Sequence, residues 1–503
     1  MRASEKPADT PRFVCSVLER IGAHGIPNIG RAGTRQRRLA WTGLVLAGLG
    51  FLVWQGTLLV TRYLQYDVKV SVGLGYEALT TFPAVTVCNL NRIPRTAMHT
   101  NSKLAELEGY IEYILETQVY QAWNDEMRYT NQVADFGITT ESFDIMADIP
   151  YANRSSAGHQ LSRMLLYCTF NGYPCSPLNF THFYNYFYGN CYTFNFDSRL
   201  ARRVAQAGPF YGLTMELFVE QTEYVRGLQN SAGLKVFISG QNQVPFPEDR
   251  GIIVSPGRET SIALHKVRID RLGAPYTSCT SDLPTIFSTF YGNVDYSLLA
   301  CEKSCVAQEI LEMCHCADPR YRFTDETSSC SSQNQSQMAC TRKILLAYVN
   351  NSLRCNCPLP CSEVEFEETV SAASWPNENY KFALENIITR LSADFSSAIE
   401  EDDRFIEKNV VKLNVFLSSL QYQYIYQTPD YSQENLISDL GGQVGLWMGF
   451  SILTFFEIAE LVLDLFVYTR GKSANRVSRE AKVGEGLVGM SLSPSVNTLT
   501  PIG

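Results

Sequence analysis

Little of this chain is charged. Asp, Glu, Lys and Arg make up 18% of its 503 residues, below the roughly 25% usual for soluble proteins. Histidine is scarcer still, at six in the whole chain, so few side chains titrate unaided near neutral pH. No internal repeat and no low-complexity segment is present. There is no glycine-rich phosphate loop and no convincing nucleophile–base pair, so the residues do not indicate an enzyme. The net charge of −9 lacks the basic excess of a general nucleic-acid binder. Cysteine, by contrast, is plentiful: fifteen are too many for an ordinary reduced cytosolic enzyme. Together these features exclude a disordered chain and argue against a simple cytosolic protein.

The charge is unevenly placed. Residues 1–38 are net +5, residues 469–503 net +3 and the stretch between them net −17. Leu39 to Val60 is an uncharged run of 22 residues, long enough as a helix for ~30 Å of hydrocarbon. A cleaved signal peptide has a shorter apolar core nearer the terminus, so this run reads as a signal-anchor helix. Arg35, Arg37 and Arg38 precede it and place the N-terminus in the cytosol. A second run, Val444 to Tyr468, is followed by Arg470, Lys472 and Arg476, which place the C-terminus there too. The expected organisation is a cytosolic 1–38, a first span at 39–61, an extracellular 62–430, a second span at 431–468 and a cytosolic tail at 469–503. The tail is Ser/Gly-rich and expected to be disordered.

All cysteines but Cys15 fall in the large loop, an even fourteen that suits seven disulfides in an oxidising compartment. The glycosylation sequons at Asn153, Asn179, Asn334 and Asn350 lie there as well. Ten cysteines crowd 279–361, and Cys314-His315-Cys316 and Cys355-Asn356-Cys357 have spacings that suggest zinc. Zinc needs thiolates, so the compartment favours a disulfide ladder and no metal. Such a ladder would stiffen a helical region with little core of its own. Spacing alone leaves its connectivity open.

Within the loop, residues 67–70, 82–88, 212–220, 233–239, 259–270 and 410–426 read as strands. Residues 102–118, with Leu104, Leu107, Ile111 and Ile114 at helical spacing, read as a helix. Further helices are expected near 139–168, 295–315, 339–352 and 377–400, the last opened by Pro376.

The second span carries the chemistry. Gly441, Gly445 and Gly449 recur every four residues and are expected to form one smooth helix face for close packing. Glu457, Glu460 and Asp464 fall at i, i+3 and i+7, on one face of a helix. A carboxylate facing lipid costs ~2.5 kcal/mol or more, so these should face water. Repeated by symmetry they form acidic rings, which concentrate cations; the bland reading is snorkelling to the cytosolic interface, best suited to Asp464. Between the two sets lies Gly449-Phe450-Ser451. The run from Ser432 to Tyr468 is too long for one straight crossing, so a break is expected at these three residues.

The sequence resembles the epithelial sodium channel/degenerin/acid-sensing channel superfamily. The shared stretches are His24-Gly25, FPAVTVCNLNR at 82–92, YGNCYTFN at 188–195, RLGAPYTSC at 271–279, the cysteine series to Cys361 and SDLGGQVGLWMGFS at 438–451. The resemblance implies a membrane α+β fold, with two transmembrane helices flanking a disulfide-rich extracellular domain of palm, β-ball, finger, thumb and knuckle. It implies a homo- or heterotrimer with related subunits in plasma-membrane lipid, a trimeric pore for Na⁺, amiloride block and no cofactor. By position, Gly449, Phe450 and Ser451 take the selectivity filter. Ser438, Asp439, Gly442, Gly445, Glu457, Glu460 and Asp464 line the pore, and bulky substitution at the position of Ser438 holds relatives open. His24 and Gly25 match a cytosolic gating motif. Tyr66 and Tyr276 take positions that couple the first span to the thumb, where relatives usually have Trp as the second partner. The resemblance also implies the bridges Cys88–Cys191, Cys168–Cys175, Cys279–Cys361, Cys301–Cys357, Cys305–Cys355, Cys314–Cys340 and Cys316–Cys330.

Departures bear on the stimulus. Asp67, not histidine, follows Tyr66, and residues 224–233 lack the carboxylates of acid-sensing relatives. The loop's five histidines are His99, His159, His182, His265 and His315. The expected function is a sodium-selective channel opened from outside by a ligand such as a small peptide, or open constitutively. Proton gating through paired carboxylates is the alternative, with the acidic runs at 363–368 and 400–403 as candidates that otherwise read as solvated faces. Phe450 stands where many relatives have a small residue, which bears on the degree of Na⁺ selectivity. An ATP-gated two-span channel would need clustered basic residues for triphosphate, and this loop is acidic. A two-span lipid-binding scavenger receptor shares the hairpin layout but has no use for three carboxylates along one helix face.

Overall fold

A computed structural model describes residues 25–467 apart from 120–137, 140, 282–286, 288–289, 293, 322–327, 332, 393, 461 and 464–465. His24, Asp464, Cys15 and the basic flank after the second apolar run lie outside the described residues. The chain divides into two compact units, Lys69–Thr428 and the pair of flanks Met1–Val68 with Pro429–Gly503.

In the flanking unit, helix α1 (Ile26–Arg31) leads into helix α2 (Arg35–Leu64). Helix α2 is long and apolar enough to cross a membrane. It starts four residues before the apolar run because the Thr34 hydroxyl accepts from Arg37 N–H, satisfying one of the orphan donors of the first turn. It stops near Tyr66, whose left-handed φ of 52° cannot continue a helix.

The larger unit is built on two sheets that share one core. Five strands run Ile252–Val254, Leu234–Ser239, Ala84–Asn89, Gly189–Phe194 and Phe180–Asn185 from edge to edge. The eight-stranded sheet centres on Arg258–Asp270, the 13-residue strand that pairs along its whole length with Ser362–Ser374. Its other edge takes Val410–Leu417 and then Gln421–Pro429, both parallel. Val85, Val87 and Val236 from the smaller sheet bury against the same core as Leu213, Met215, Ile262 and Val415 from the larger. The strands Ala84–Asn89 and Leu213–Phe218 are buried almost throughout, Thr86 and Glu216 included.

Three expectations are corrected. The helix near 139–168 is a series of short helices, including Tyr151–Ala157 and Leu161–Met164, and its expected end, Leu165–Phe170, is instead a strand. Pairing with Leu213–Phe218 and the Cys168–Cys175 staple override the local helical pattern. The acidic run at 363–368 lies in the strand Ser362–Ser374 and keeps Glu365, Glu367 and Glu368 exposed, as a solvated face does, with Val364 and Phe366 between carboxylates and Arg271 pairing with Glu363 at 2.5 Å. The long helix at 377–400 is two, Glu378–Ile388 and Asp394–Glu401, which bury Leu384, Ile388 and Phe395 in one cluster. The strand at 410–426 is interrupted at 418–420.

Helix α3 (Ser102–Val119) buries Leu104, Leu107 and Ile111 as its spacing requires. Helices α4 (Leu298–Cys314) and α5 (Gln335–Val349) are capped by Ser297 and Asn334. Their shared cluster has six buried residues, three of them half-cystines: Cys314, Cys316 and Cys330. A core that small leaves the bridges to constrain the chain, each typically adding ~2–4 kcal/mol. The seven pairs are Cys88–Cys191, Cys168–Cys175, Cys279–Cys361, Cys301–Cys357, Cys305–Cys355, Cys314–Cys340 and Cys316–Cys330, the same seven that the resemblance implies. Of the sequons, Asn153, Asn334 and Asn350 are exposed and Asn179 is half-buried.

Candidate pore and selectivity filter

The second apolar segment is a broken helix. Helix α6 (Gln433–Met448) and helix α7 (Ile452–Glu460) together have the length and apolarity of one membrane span, bent by 68° at the break between them. Helix α6 starts where the Ser432 hydroxyl accepts from Asn435 N–H at 3.3 Å. It ends at Gly449, which has φ 65° and ψ 23° and donates its N–H to the Gly445 carbonyl at 2.9 Å. A side chain in that left-handed conformation costs ~1–2 kcal/mol, so glycine suits the position. The chain then restarts through a reciprocal cap. Ser451 Oγ accepts from Thr454 N–H at 3.3 Å, and Thr454 Oγ1 accepts from Ser451 N–H at 3.2 Å. Gly449, Phe450 and Ser451 are therefore the three residues between the helices. Because Gly449 leaves the helix, it does not extend a smooth face with Gly441 and Gly445.

Helix α6 has two distinct sides. Leu440, Gln443 and Trp447 face α2. Trp447 stacks on Phe51, with ring centroids 4.9 Å apart and planes at 14°. Its indole N–H donates to Gln55 at 2.8 Å and to Gln443 at 3.1 Å. A methyl on Gly56 would touch Leu440 at 3.7 Å, and one on Gly48 would lie 3.1 Å from the Trp447 carbonyl. The other side carries Ser438, Gly441, Gly442 and Gly445. Ser438 is exposed, and a methyl on Gly441 or Gly442 would meet nothing within 4 Å. A methyl on Gly445 would sit 3.6 Å from the Phe450 carbonyl. The close approach within the chain thus uses glycines of α2, not the glycine repeat of α6. Gln55 was the legible signal: an amide inside an apolar run needs a hydrogen-bonding partner.

Near the C-terminus of α2, Arg62 pairs with Asp430 at 3.0 Å and lies over the Tyr431 ring at 5.0 Å. The Tyr431 hydroxyl donates to Asp439 at 2.7 Å. Asp439 is thereby tied to its own segment, one residue from Ser438. Glu457 and Glu460 are both exposed on α7. Gly25 has φ 97° and passes so close to α2 that a methyl there would lie 2.8 Å from Val45 Cγ2, which accounts for glycine physically. Tyr66 rests on Tyr63, with ring centroids 5.8 Å apart, and Tyr276 closes a turn on the Gly273 carbonyl at 3.1 Å.

An apolar helix pair broken at a glycine, with carboxylates beyond the break, can line a path for cations. The profile described as amiloride-sensitive sodium channel matches residues 17–461. The epithelial sodium channel subunit alpha of Neoceratodus forsteri is 29% identical over 85% of this chain and 75% of its own length. Subunit gamma of Mus musculus is 27% identical, covering 88% and 80%. Degenerin unc-8 of Caenorhabditis elegans is 30% identical over 66% of this chain and 44% of its own length. The chain belongs to the amiloride-sensitive sodium channel family, within the epithelial sodium channel/degenerin superfamily. Channels of this family act at the plasma membrane.

Proposed function

We propose that the chain is one subunit of a trimeric, amiloride-sensitive, sodium-selective channel, with both spans in the plasma membrane and both termini cytosolic. It is opened from the extracellular side by a ligand such as a small peptide, or stands open constitutively. The observation that carries this reading is the break at Gly449–Ser451 in an apolar helix pair, with Glu457 and Glu460 exposed beyond it. The alpha, beta and gamma subunits among its relatives support assembly with copies of itself or with related chains. The carboxylates supply cation attraction, and the break supplies the constriction.

The test is whole-cell current from the chain expressed alone, with amiloride at each step as extracellular pH moves from about 7.4 to about 5, across the histidine range. A standing amiloride-sensitive Na⁺ current means constitutive opening. A current evoked only by acid replaces the ligand with protons. The absence of any current with the chain at the surface, alone or with related subunits, and with small peptides applied, would reject the reading. Two substitutions sharpen it. Glu457→Gln is expected to lower unitary conductance roughly two-fold by removing one charge per subunit from a ring. Ser451→Ala removes a cap worth ~1 kcal/mol and should lower the Na⁺/K⁺ permeability ratio. Unchanged reversal potentials would remove Ser451 from the filter.

A further inference from the structure

A polar cleft of about 510 Å³ opens in the larger unit, within the range of small-ligand sites. His159 and Glu220 form its floor; Thr96, Arg163 and Glu223 stand around it. His159 is 4% exposed and Glu220 5%. The hydrogen bonds assign the imidazole proton. Asn91 Nδ2 lies 2.9 Å from the Glu223 carbonyl and 3.0 Å from His159 Nε2. The carbonyl can only accept, so the Asn91 amide donates on this side and His159 Nε2 accepts. The proton of the neutral ring is then on Nδ1. Glu220 Oε2 lies 4.0 Å from it, beyond hydrogen-bond reach. Among the described residues no acceptor takes this N–H, which lines the cleft and is open to its contents.

The acceptors opposite are also underused. Glu220 Oε1 takes Arg163 at 2.8 Å, while Oε2 receives no donor among the described residues. Glu223 Oε2 takes the Thr96 N–H at 2.8 Å and hydroxyl at 2.9 Å, leaving Oε1. Two carboxylates face one guanidinium and a neutral imidazole. Burial and the nearby Glu223 charge push the Glu220 carboxyl up, against Arg163, and burial, with Arg163, pushes His159 down to about 4. Glu220 also holds a left-handed backbone, φ 56° and ψ 60°, a strain of order 1–3 kcal/mol that proteins tend to keep at functional sites.

We propose that this cleft binds the basic group of an extracellular ligand, a primary ammonium or guanidinium seated between Glu220 and Glu223, with an acceptor atom of the ligand on His159 Nδ1–H. The inference deepens the reading of a channel opened from outside by a ligand and rests on it. The cation completes the charge of the cleft, and the neighbouring acceptor takes the His159 Nδ1–H that faces it. A peptide's basic side chain followed by its own carbonyl has this pairing.

The test uses the purified full-length channel and L-argininamide as probe, with the neutral isostere L-citrullinamide as control, binding being read by calorimetry at neutral pH. Argininamide is expected to bind saturably and citrullinamide not. Glu220→Gln and Glu223→Gln should each weaken argininamide at least about ten-fold, the loss of one charge-assisted contact. Glu223 is only half-buried, so its variant tests the site even if Glu220→Gln fails to fold. Equal binding of the two probes, equal binding to wild type and Glu223→Gln, or no binding of argininamide to wild type would overturn the site. Current recorded with the same probe separates the two claims. Binding that depends on Glu223 but neither opens nor blocks the channel keeps the site and rejects ligand opening through it.

Discussion

Gly48→Leu is expected to abolish amiloride-sensitive current and to retain most of the chain inside the cell. Gly48 is the buried residue of α2, and even a methyl there would stand 3.1 Å from the Trp447 carbonyl. That atom is backbone and cannot swing aside. A leucine must push α6 away from α2, breaking the Phe51–Trp447 stack and the Trp447–Gln55 hydrogen bond. Overpacking of this kind typically costs ~1–3 kcal/mol, and in lipid no hydrophobic gain between helices offsets it. Gly48→Ala should leave a reduced current, because the neighbour need yield only a few tenths of an ångström. Gly43→Leu is the control, since a methyl at Gly43 meets nothing within 4 Å, and it should reach the surface. Surface biotinylation beside whole-cell recording checks all three. A wild-type current from Gly48→Leu would contradict the close helix contact.

Ser438→Trp is expected to raise open probability strongly at normal surface density. The side chain at 438 is exposed and shares its helix side with Gly441 and Gly442, whose methyl positions are empty. Bulk added here does not disturb the chain's own packing, because the side of α6 that meets α2 is the one with Leu440 and Trp447. In a symmetric trimer the open side is the one available to the other copies, so a large residue disfavours the tightly closed arrangement. A shift of ~1.4 kcal/mol changes the open-to-closed ratio about ten-fold, which single-channel recording resolves. Asp439 sits next to this position and is held by Tyr431, so Tyr431→Phe should leave the chain folded and alter gating more weakly. Unchanged open probability in both variants would separate Ser438 from the gate.

The two apolar segments were legible because their signals are local. An uncharged run with basic residues before it specifies an anchor helix wherever it occurs. The break at Gly449–Ser451 was legible because the run from Ser432 to Tyr468 is too long for one straight crossing; the Ser451–Thr454 cap that restarts the helix was seen only in the structure. The number of extracellular cysteines could be read, but their partners came only from the resemblance. Spacing constrains bridges weakly, and it is the chain's path that brings sulfurs together.

The sequence by itself determined an anchored chain with an oxidised, acidic, strand-rich domain and a second apolar segment broken near its middle. Those properties follow from residue type and period, which act over a few residues. Tertiary structure decided which of the glycines on α2 meets α6, since helical spacing does not say which side the partner occupies. It turned Leu165–Phe170 into a strand, because pairing with Leu213–Phe218 outweighs a weak helical preference. It placed the 363–368 carboxylates on an edge strand of the central sheet. It also brought His159 to within 4.0 Å of Glu220, 61 residues further along the chain. Neither residue signals the other in sequence. Burial then crowds the carboxylates beside a neutral imidazole, because removal from water disfavours charge.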